Sequence, residues 1–187
     1  TDKYQDLDIG EWNRFVDLDR DGDLDLLAEE PFSYIRYFSN EGTKQNAVYK
    51  LVADSLRDIE GQAIFADRQN IPNLTDLDCD GSLDLFLGRV EGTLTRYEQG
   101  VGLRFGFVTD RFEGIEIVAQ IGSLHGANTM YWADYDKDGD QDLFWGDFFE
   151  PGVLIIPNLG SNCISPNLPV EPQPVTINNT KLMTSGY

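Results

Sequence analysis

The sequence predicts an all-β protein built from repeated sheets of about four short antiparallel strands, the size of one β-propeller blade. Three observations support this prediction: an aspartate-rich segment occurs three times, strand-like apolar runs follow each copy, and no window shows a convincing helical period. The chain has 187 residues, of which 41% are hydrophobic. It is therefore long and apolar enough to bury a sizeable core, and we exclude a disordered acidic tail.

The aspartate-rich segment belongs to an internal repeat. Its copies begin 59 and 58 residues apart and read DLDRDGDLDLL at 17–27, DLDCDGSLDLF at 76–86 and DYDKDGDQDLF at 134–144. Each copy is followed at a nearly constant distance by a turn, at 39–42, 98–100 and 157–160. A third marker, LVAD at 51–54, is matched by FVTD at 107–110. Markers in a common order predict three copies of one structural unit.

Short strands are predicted within each repeat, bounded by glycine, proline and asparagine turns. Residues 34–38 are aromatic and β-branched, residues 93–97 alternate with a period of two, and residues 143–145 and 153–156 are apolar. Residues 54–70 are ambiguous, and we interpret them as a loop with at most one helical turn. The predicted organisation is blade repeats at 1–60, 61–118 and 119–161, then a proline-rich connector and a terminal strand or the start of a further blade at 162–187.

The number of repeats bears on how the fold is completed. A propeller typically closes with about four to eight blades, and this chain holds three repeats. The chain is therefore expected to be part of a larger propeller, or to pair with another copy or another chain. Exposed sheet edges would otherwise invite association.

The repeated loop has the ligand spacing of a calcium site. Aspartates at loop positions 1, 3 and 5 direct three carboxylates inward, glycine at position 6 permits the sharp turn, and position 7 contributes its backbone carbonyl. Position 9 is an aspartate in every copy and would complete the shell of ligands. Position 12, the closing glutamate of an EF-hand, is Ala28, Leu87 or Trp145 here, so an EF-hand is excluded.

Three Ca²⁺ sites are predicted, one in each repeat. Their carboxylate ligands are Asp17, Asp19, Asp21 and Asp25 in the first loop, Asp76, Asp78, Asp80 and Asp84 in the second, and Asp134, Asp136, Asp138 and Asp142 in the third. The position-7 carbonyls come from Asp23, Ser82 and Asp140, and the side chains of Asp23 and Asp140 are expected to face solvent. An acidic, solvated turn without metal is the alternative, and it explains one loop more easily than three. Mg²⁺ prefers fewer carboxylates and Zn²⁺ prefers histidine or cysteine, so both ions are disfavoured.

The charge of the chain limits its classes of partner. The net charge is −19, and 14 of the 33 acidic residues lie in 17–25, 76–84 and 134–142. Nucleic acid and anionic membrane surfaces are therefore not expected partners. No apolar run approaches the length of a transmembrane helix, so the chain is not expected to span a membrane itself. The two cysteines, Cys79 and Cys163, are too few for a disulfide scaffold, and pairing between them is left open.

No catalytic constellation is predicted. His125 is the single histidine, and its glycine neighbours favour a loop position over a catalytic or metal-binding role. Paired carboxylates are abundant, but the best-placed aspartates are assigned to calcium, and a general acid needs an apolar site without metal. Asn73 and Asn178 fit the N-glycosylation pattern, which is short and weak.

The residues around the first loop carry a family resemblance. Phe15 and Val16 precede the loop, and residues 37–43 (YFSNEGT) follow it. With the three loops, they resemble the FG-GAP and VCBS-type repeats of integrin α-subunit propellers and many bacterial secreted proteins; the bacterial VCBS pattern is the more similar. The resemblance covers roughly residues 10–160 and implies structural calcium sites on a propeller that mediates adhesion or assembly. The chain departs from that family in having too few blades and no clear Phe-Gly…Gly-Ala-Pro motif.

The preferred hypothesis is a non-catalytic, calcium-binding β-propeller module for extracellular adhesion or protein–protein assembly. It would act outside the cytoplasm, as a secreted, cell-surface or periplasmic protein. Its partner would be another protein, further blades of a longer chain, or its own copies. One alternative is a structural subunit of a larger membrane-associated complex or filament. Another is the scaffold part of a secreted hydrolase or lyase.

Overall fold

The computed structural model describes residues 3–31, 33–67, 70–116, 129–146, 153–160 and 166–168, and short strands at 173–174, 176–177 and 180–181. In this part of the chain the regular structure is β, apart from one short 3-10 helix at Phe112–Gly114. The strands form three sheets of four or five strands and two small strand pairs. The predicted all-β fold of blade-like antiparallel sheets is confirmed. No helix within the described ranges is long and apolar enough to cross a membrane.

The first sheet follows a small antiparallel pair formed by β1 (Lys3–Tyr4) and β2 (Leu7–Asp8). It has four antiparallel strands in sequence order: β3 (Asn13–Val16), β4 (Asp25–Glu30), β5 (Tyr34–Asn40) and β6 (Tyr49–Ala53). Side chains of β4 alternate between the two faces, as strand geometry requires. Leu27 belongs to a core cluster shared with the second sheet, whereas Leu26 and Ala28 pack with Ile9 and Phe38 in a separate cluster. Both faces of this sheet are therefore covered.

The second sheet combines β7 (Arg57–Asp58) with β8 (Asn73–Thr75), β9 (Asp84–Gly88), β10 (Leu94–Gln99) and β11 (Arg104–Thr109). Strands β8 to β11 are antiparallel in sequence order, and β7 adds to the outer strand β11 in parallel. The interpretation of 54–70 as a loop was partly wrong. The described part of this segment contains β7 and no helical turn. Leu56 and Ile64 hold it extended because both are buried in the core between the first two sheets.

The third sheet contains β12 (Thr129–Ala133), β13 (Asp142–Gly146), β14 (Val153–Ile156) and β15 (Gln173–Pro174) in antiparallel order. A last antiparallel pair joins β16 (Thr176–Ile177) to β17 (Thr180–Lys181). A terminal strand or the start of a further blade was predicted within 162–187, and β15, β16 and β17 are the strands described there. The division into 1–60, 61–118, 119–161 and 162–187 stays a prediction.

The hydrophobic core lies between stacked sheets. Leu85 and Leu87 of β9 pack in the cluster shared with the first sheet, and Phe86 packs with Trp132 and Trp145 of the third. A strand whose successive side chains are buried on opposite faces must lie in a sheet covered on both sides. The second sheet is therefore the middle layer, and each sheet buries its apolar faces against its neighbours, as repeated blades do.

Each aspartate loop has the same place in its sheet. It joins the first and second strands of the four antiparallel strands, β3 to β4, β8 to β9 and β12 to β13. Position 9 of the loop is the first residue of the second strand in every case: Asp25, Asp84 and Asp142. The sheet thus fixes the end of each loop, and the loop residues before it determine which oxygen atoms converge.

Candidate metal centres

The three loops share one backbone path. Two residues in each have a positive φ angle, at loop positions 4 and 6: Arg20 (64°) and Gly22 (97°), Cys79 (54°) and Gly81 (91°), and Lys137 (67°) and Gly139 (100°). Position 4 lies in the left-handed region that non-glycine residues visit at some cost. Position 6 has a φ near 100°, which strongly favours glycine because it lacks a Cβ atom. The repeated glycine is therefore a conformational requirement of the loop.

Gly81→Ala is expected to destabilise the protein by about 1–2 kcal/mol, because alanine is strained at this φ angle. A Cβ at residue 81 would meet no atom within 4 Å, so strain would account for the loss without any clash. Gly106→Ala is the matched control: Gly106 has no positive φ, and its Cβ would make an ordinary contact of 3.8 Å with the Glu98 carbonyl. Thermal denaturation of the two variants compares them. Equal losses would mean that the turn does not need glycine.

The loop aspartates bond to the loop backbone. In the first loop, the Gly22 N–H donates to Asp17 Oδ2 at 3.0 Å, and the Asp23 N–H donates to Asp21 Oδ1 at 3.0 Å. The second and third loops contain similar bonds, from Gly81 to Asp76, Ser82 to Asp80, and Asp140 to Asp138. Such local bonds are typical of aspartate in tight turns. Each of these aspartates holds the loop with one oxygen and has a second oxygen for another partner.

Carboxylate oxygens converge in all three loops. Three aspartates in each loop place one oxygen apiece within 4.8 Å of one another: Asp17, Asp19 and Asp25; Asp76, Asp78 and Asp80; Asp134, Asp136 and Asp142. A further group joins Asp78, Asp84 and Glu98. Asp21 and Asp138 were predicted as ligands and are not in these groups. Their role as ligands stays a prediction.

Unpaired buried oxygens provide a test of whether a cation fits. Asp17 Oδ1, Asp76 Oδ1 and Asp78 Oδ1 are buried without a hydrogen-bond partner. Leaving a charged oxygen buried and unpaired costs several kcal/mol, so native structures rarely do so. An oxygen-preferring cation such as Ca²⁺ would satisfy these atoms, and no histidine or thiolate is present in the groups to favour Zn²⁺. The residues therefore fit calcium.

The aspartate at position 9 anchors its loop to the sheet. Asp25, Asp84 and Asp142 are 1%, 0% and 1% exposed. In each, Oδ2 accepts the N–H of loop position 2: Leu18 at 3.0 Å, Leu77 at 2.9 Å and Tyr135 at 2.8 Å. In the first and third loops, Oδ1 also accepts the N–H of an asparagine at or just after the end of the next strand, Asn40 at 2.9 Å or Asn158 at 2.8 Å. This structural role was not predicted, although the asparagine turns at 39–42 and 157–160 were visible as repeat markers.

Burial raises the pKa of Asp19, Asp84 and Asp142. It raises the pKa of Asp142, while the N–H groups of Asn158 and Tyr135 favour the charged carboxylate. Burial also raises the pKa of Asp84 to about 6, opposed by the Leu77 N–H and the Arg96 guanidinium. At Asp19, burial is the main cause of a raised pKa, and the negative charge of the neighbouring Asp25 raises it further. The free loops therefore hold closely spaced negative charge that the protein surroundings only partly compensate.

Position 7 differs from the prediction. Asp140 was expected to face solvent and is 2% exposed, so that expectation was wrong. Asp23 is half-buried, and it is hydrogen-bonded to the Asn40 side chain at the end of β5. Asn158 follows the corresponding strand of the third sheet, and its amide donates to the carbonyl of Gln141 at 3.3 Å. In both sheets the asparagine at the end of the third strand thus packs against the loop, and the side chain at position 7 is at least partly buried.

Side chains from neighbouring sheets connect the loops. Gln99 at the end of β10 donates to the Leu18 carbonyl of the first loop at 2.8 Å and accepts from Arg20 at 3.0 Å. Gln141 of the third loop accepts from Thr75 at 2.6 Å and donates to the Asp76 carbonyl of the second loop at 3.4 Å. Both glutamines lie within the repeat markers at 98–100 and 134–144, but the markers do not indicate these bonds, because the bonding partners lie 65 to 81 residues away. The three candidate centres are therefore linked through the sheets that carry them.

The glycosylation patterns, the cysteines and the histidine can be compared with the structure where their residues are described. Asn73 is buried, and its amide donates to the Met130 carbonyl at 3.3 Å, so it is inaccessible to glycosylation in this fold. Cys79 is disulfide-bonded. His125, Cys163 and Asn178 lie outside the described residues.

The fold and the loops define a protein of blade-like β-sheets, each with an acidic loop between its first two antiparallel strands. In agreement, the family model of the FG-GAP-like repeat matches residues 76–145, from the first aspartate of the second loop to the strand after the third. This match supports the FG-GAP part of the resemblance for these residues. No curated protein and no solved structure matches the chain.

Proposed function

We propose that this chain is a calcium-binding structural module of the β-propeller type, in which Ca²⁺ stabilises the loops between blade strands. One observation carries the proposal: carboxylate oxygens converge in all three loops, and some are buried without a partner. The candidate ligands are those of the converging groups, completed by the aspartates at position 5 and by the carbonyls of position 7. Bound calcium would neutralise the carboxylate charge that the protein surroundings only partly compensate.

The stabilising role follows from the position of the loops. Each loop begins a buried strand, and Gln99 and Gln141 connect neighbouring loops across the sheets. A cation that rigidifies a loop would therefore also fix the contacts between sheets. Because such a cation binds the native state, it stabilises folding by mass action.

An extracytoplasmic location is proposed on chemical grounds. Cys79 is disulfide-bonded, and disulfides persist mainly in oxidising compartments outside the cytoplasm. Extracellular modules bind calcium with dissociation constants of roughly 10⁻⁴–10⁻³ M, which is sufficient where calcium is millimolar. Both points favour a secreted, cell-surface or periplasmic protein.

A role in adhesion or assembly is proposed from the outer strands. Leu51 and Val52 of β6 are exposed, as are Phe107 and Val108 of β11. Apolar side chains on such strands favour contact with another protein or with further blades. A non-catalytic role is preferred because the clustered carboxylates are assigned to metal. These exposed strands equally favour the second candidate, a structural subunit of a larger complex or filament.

Titration calorimetry tests the calcium proposal. The purified chain, first dialysed against a chelator, is titrated with CaCl₂ and in parallel with MgCl₂. The expected result is up to three Ca²⁺ bound per chain, with much weaker binding of Mg²⁺. No binding of Ca²⁺ at millimolar concentration would overturn the proposal. A pull-down in calcium with chelator elution then tests for a partner, which mass spectrometry of the eluate identifies.

A further inference from the structure

We propose that Arg96 is a built-in cation of the second loop, so that this loop binds calcium more weakly than the other two and keeps its shape without it. This inference rests on the proposed calcium-binding function. It distinguishes three loops that the sequence pattern presents as equivalent.

Arg96 lies among three carboxylates. Its Nε donates to Asp84 Oδ1 at 2.7 Å, and its Nη2 donates to Asp78 Oδ2 at 2.6 Å and to Glu98 Oε2 at 3.4 Å. Arg96 is 8% exposed, and Asp84 is fully buried. A guanidinium held in this way satisfies several carboxylate oxygens at once, which a single metal ion would otherwise do.

The corresponding positions in the other two sheets carry no charge. Arg96 pairs with Phe86, two residues after the position-9 aspartate, in the same register as Tyr37 with Leu27 and Ile155 with Phe144. The pairing of β5 with β6 shifts register directly after Tyr37, and the pairing of β10 with β11 shifts register directly after Arg96. This shared irregularity supports the structural correspondence of Tyr37 and Arg96. Tyr37 donates its hydroxyl to Asp25 Oδ2 at 3.1 Å, whereas isoleucine has no group to donate. The residue at this register position therefore has a phenol group in the first sheet, a guanidinium in the second and an alkyl group in the third.

The set of carboxylates whose oxygens converge also differs between the second loop and the other two. In the first and third loops the aspartates at positions 1, 3 and 9 converge in one group. In the second loop they divide into two groups: Asp76, Asp78 and Asp80 converge, and the position-9 Asp84 converges with Asp78 and Glu98, the three carboxylates that Arg96 contacts. Asp84 Oδ1 and Asp78 Oδ2 are both bonded to Arg96, while Asp78 Oδ1 stays buried without a partner. Calcium affinity follows the number of charged ligands, so the second site is the weakest of the three.

Calorimetry of the unmodified chain tests this ranking. We expect two tighter calcium sites and one that is weaker by about tenfold or more. Asp76→Asn is expected to remove the weaker site and leave the tighter two. Three sites of equal affinity, or loss of a tighter site in Asp76→Asn, would overturn the inference while leaving the proposed function intact. Absence of all calcium binding would instead reject the proposed function.

A pair of reciprocal substitutions tests the role of Arg96 itself. Arg96→Tyr copies the residue of the first sheet, and we expect it to raise the affinity of the weaker site about tenfold and to lower the Tm in chelator by about 10 °C. In saturating calcium the loss in Tm should be smaller. Tyr37→Arg should reduce the number of tighter calcium sites from two to one. If Arg96→Tyr does not fold, this substitution alone tests the role of Arg96.

Arg89→Tyr is the matched control, because the side chain of Arg89 bonds to Thr95 and to the Phe65 carbonyl. It should leave all three calcium affinities unchanged. An unchanged weaker site in folded Arg96→Tyr, or unchanged tighter sites in folded Tyr37→Arg, would contradict the proposed role of Arg96.

Discussion

Removal of calcium by a chelator is expected to lower the Tm of this protein by about 10–30 °C. A ligand at 100 times its dissociation constant stabilises a folded protein by about 2.7 kcal/mol per site, so the two tighter sites and one weaker site contribute roughly 5–8 kcal/mol. In a domain of this size each kcal/mol shifts the Tm by about 2–4 °C. Scanning calorimetry with about 10 mM calcium, roughly 100 times a dissociation constant of 10⁻⁴ M, or with excess chelator, measures the difference under non-reducing conditions that preserve the Cys79 disulfide.

The control for this experiment is magnesium at equal ionic strength. Magnesium retains its bound waters and prefers sites with few carboxylates, so it should restore little of the lost Tm. The outcome also depends on calcium concentration, because stabilisation by mass action grows logarithmically. A Tm that is identical in calcium and in chelator would show that the loops fold without metal, as acidic solvated turns.

Asp25→Asn is expected to destabilise the protein by about 2–4 kcal/mol, both with calcium and without it. Asp25 Oδ2 accepts from the Leu18 N–H and the Tyr37 hydroxyl, and Oδ1 accepts from the Asn40 N–H. An asparagine would direct its own NH₂ group at one of these donors in a site with almost no water. The corresponding fall in Tm is about 10 °C, measured by thermal denaturation in calcium and in chelator.

Asp21→Asn is the matched control within the same loop. Asp21 is exposed, and its Oδ1 accepts only the local Asp23 N–H among the hydrogen bonds resolved in the described residues. We expect a change of no more than about 2 °C in chelator, and a modest loss in calcium if Asp21 is a ligand. If Asp25→Asn lowers the Tm in calcium but not in chelator, Asp25 acts as a metal ligand and does not anchor the loop. That result would contradict the structural role of position 9.

The amino-acid sequence alone determined the fold class and the location of the candidate sites. The alternation of short apolar runs with glycine and asparagine turns indicates strands, because side-chain period and turn chemistry are local properties. The spacing of Asp17, Asp19, Asp21, Gly22 and Asp25 likewise predicts a tight loop with inward carboxylates, since all of its members lie within nine residues. Three repeats in register then indicated blade-like sheets without any knowledge of contacts between them.

Only the tertiary structure decided which loop oxygens are already engaged and which remain for a cation. Asp25 and Asp142 anchor their loops through Asn40 and Asn158, whereas Asp84 is held by Arg96. Gln99 joins the second sheet to the first loop, and Gln141 joins the third loop to the second. The same packing buries Asn73 and Asp140. These contacts depend on strand register and on how the sheets stack. A linear pattern specifies neither of them, because residues far apart in the chain become neighbours only when the sheets pack together.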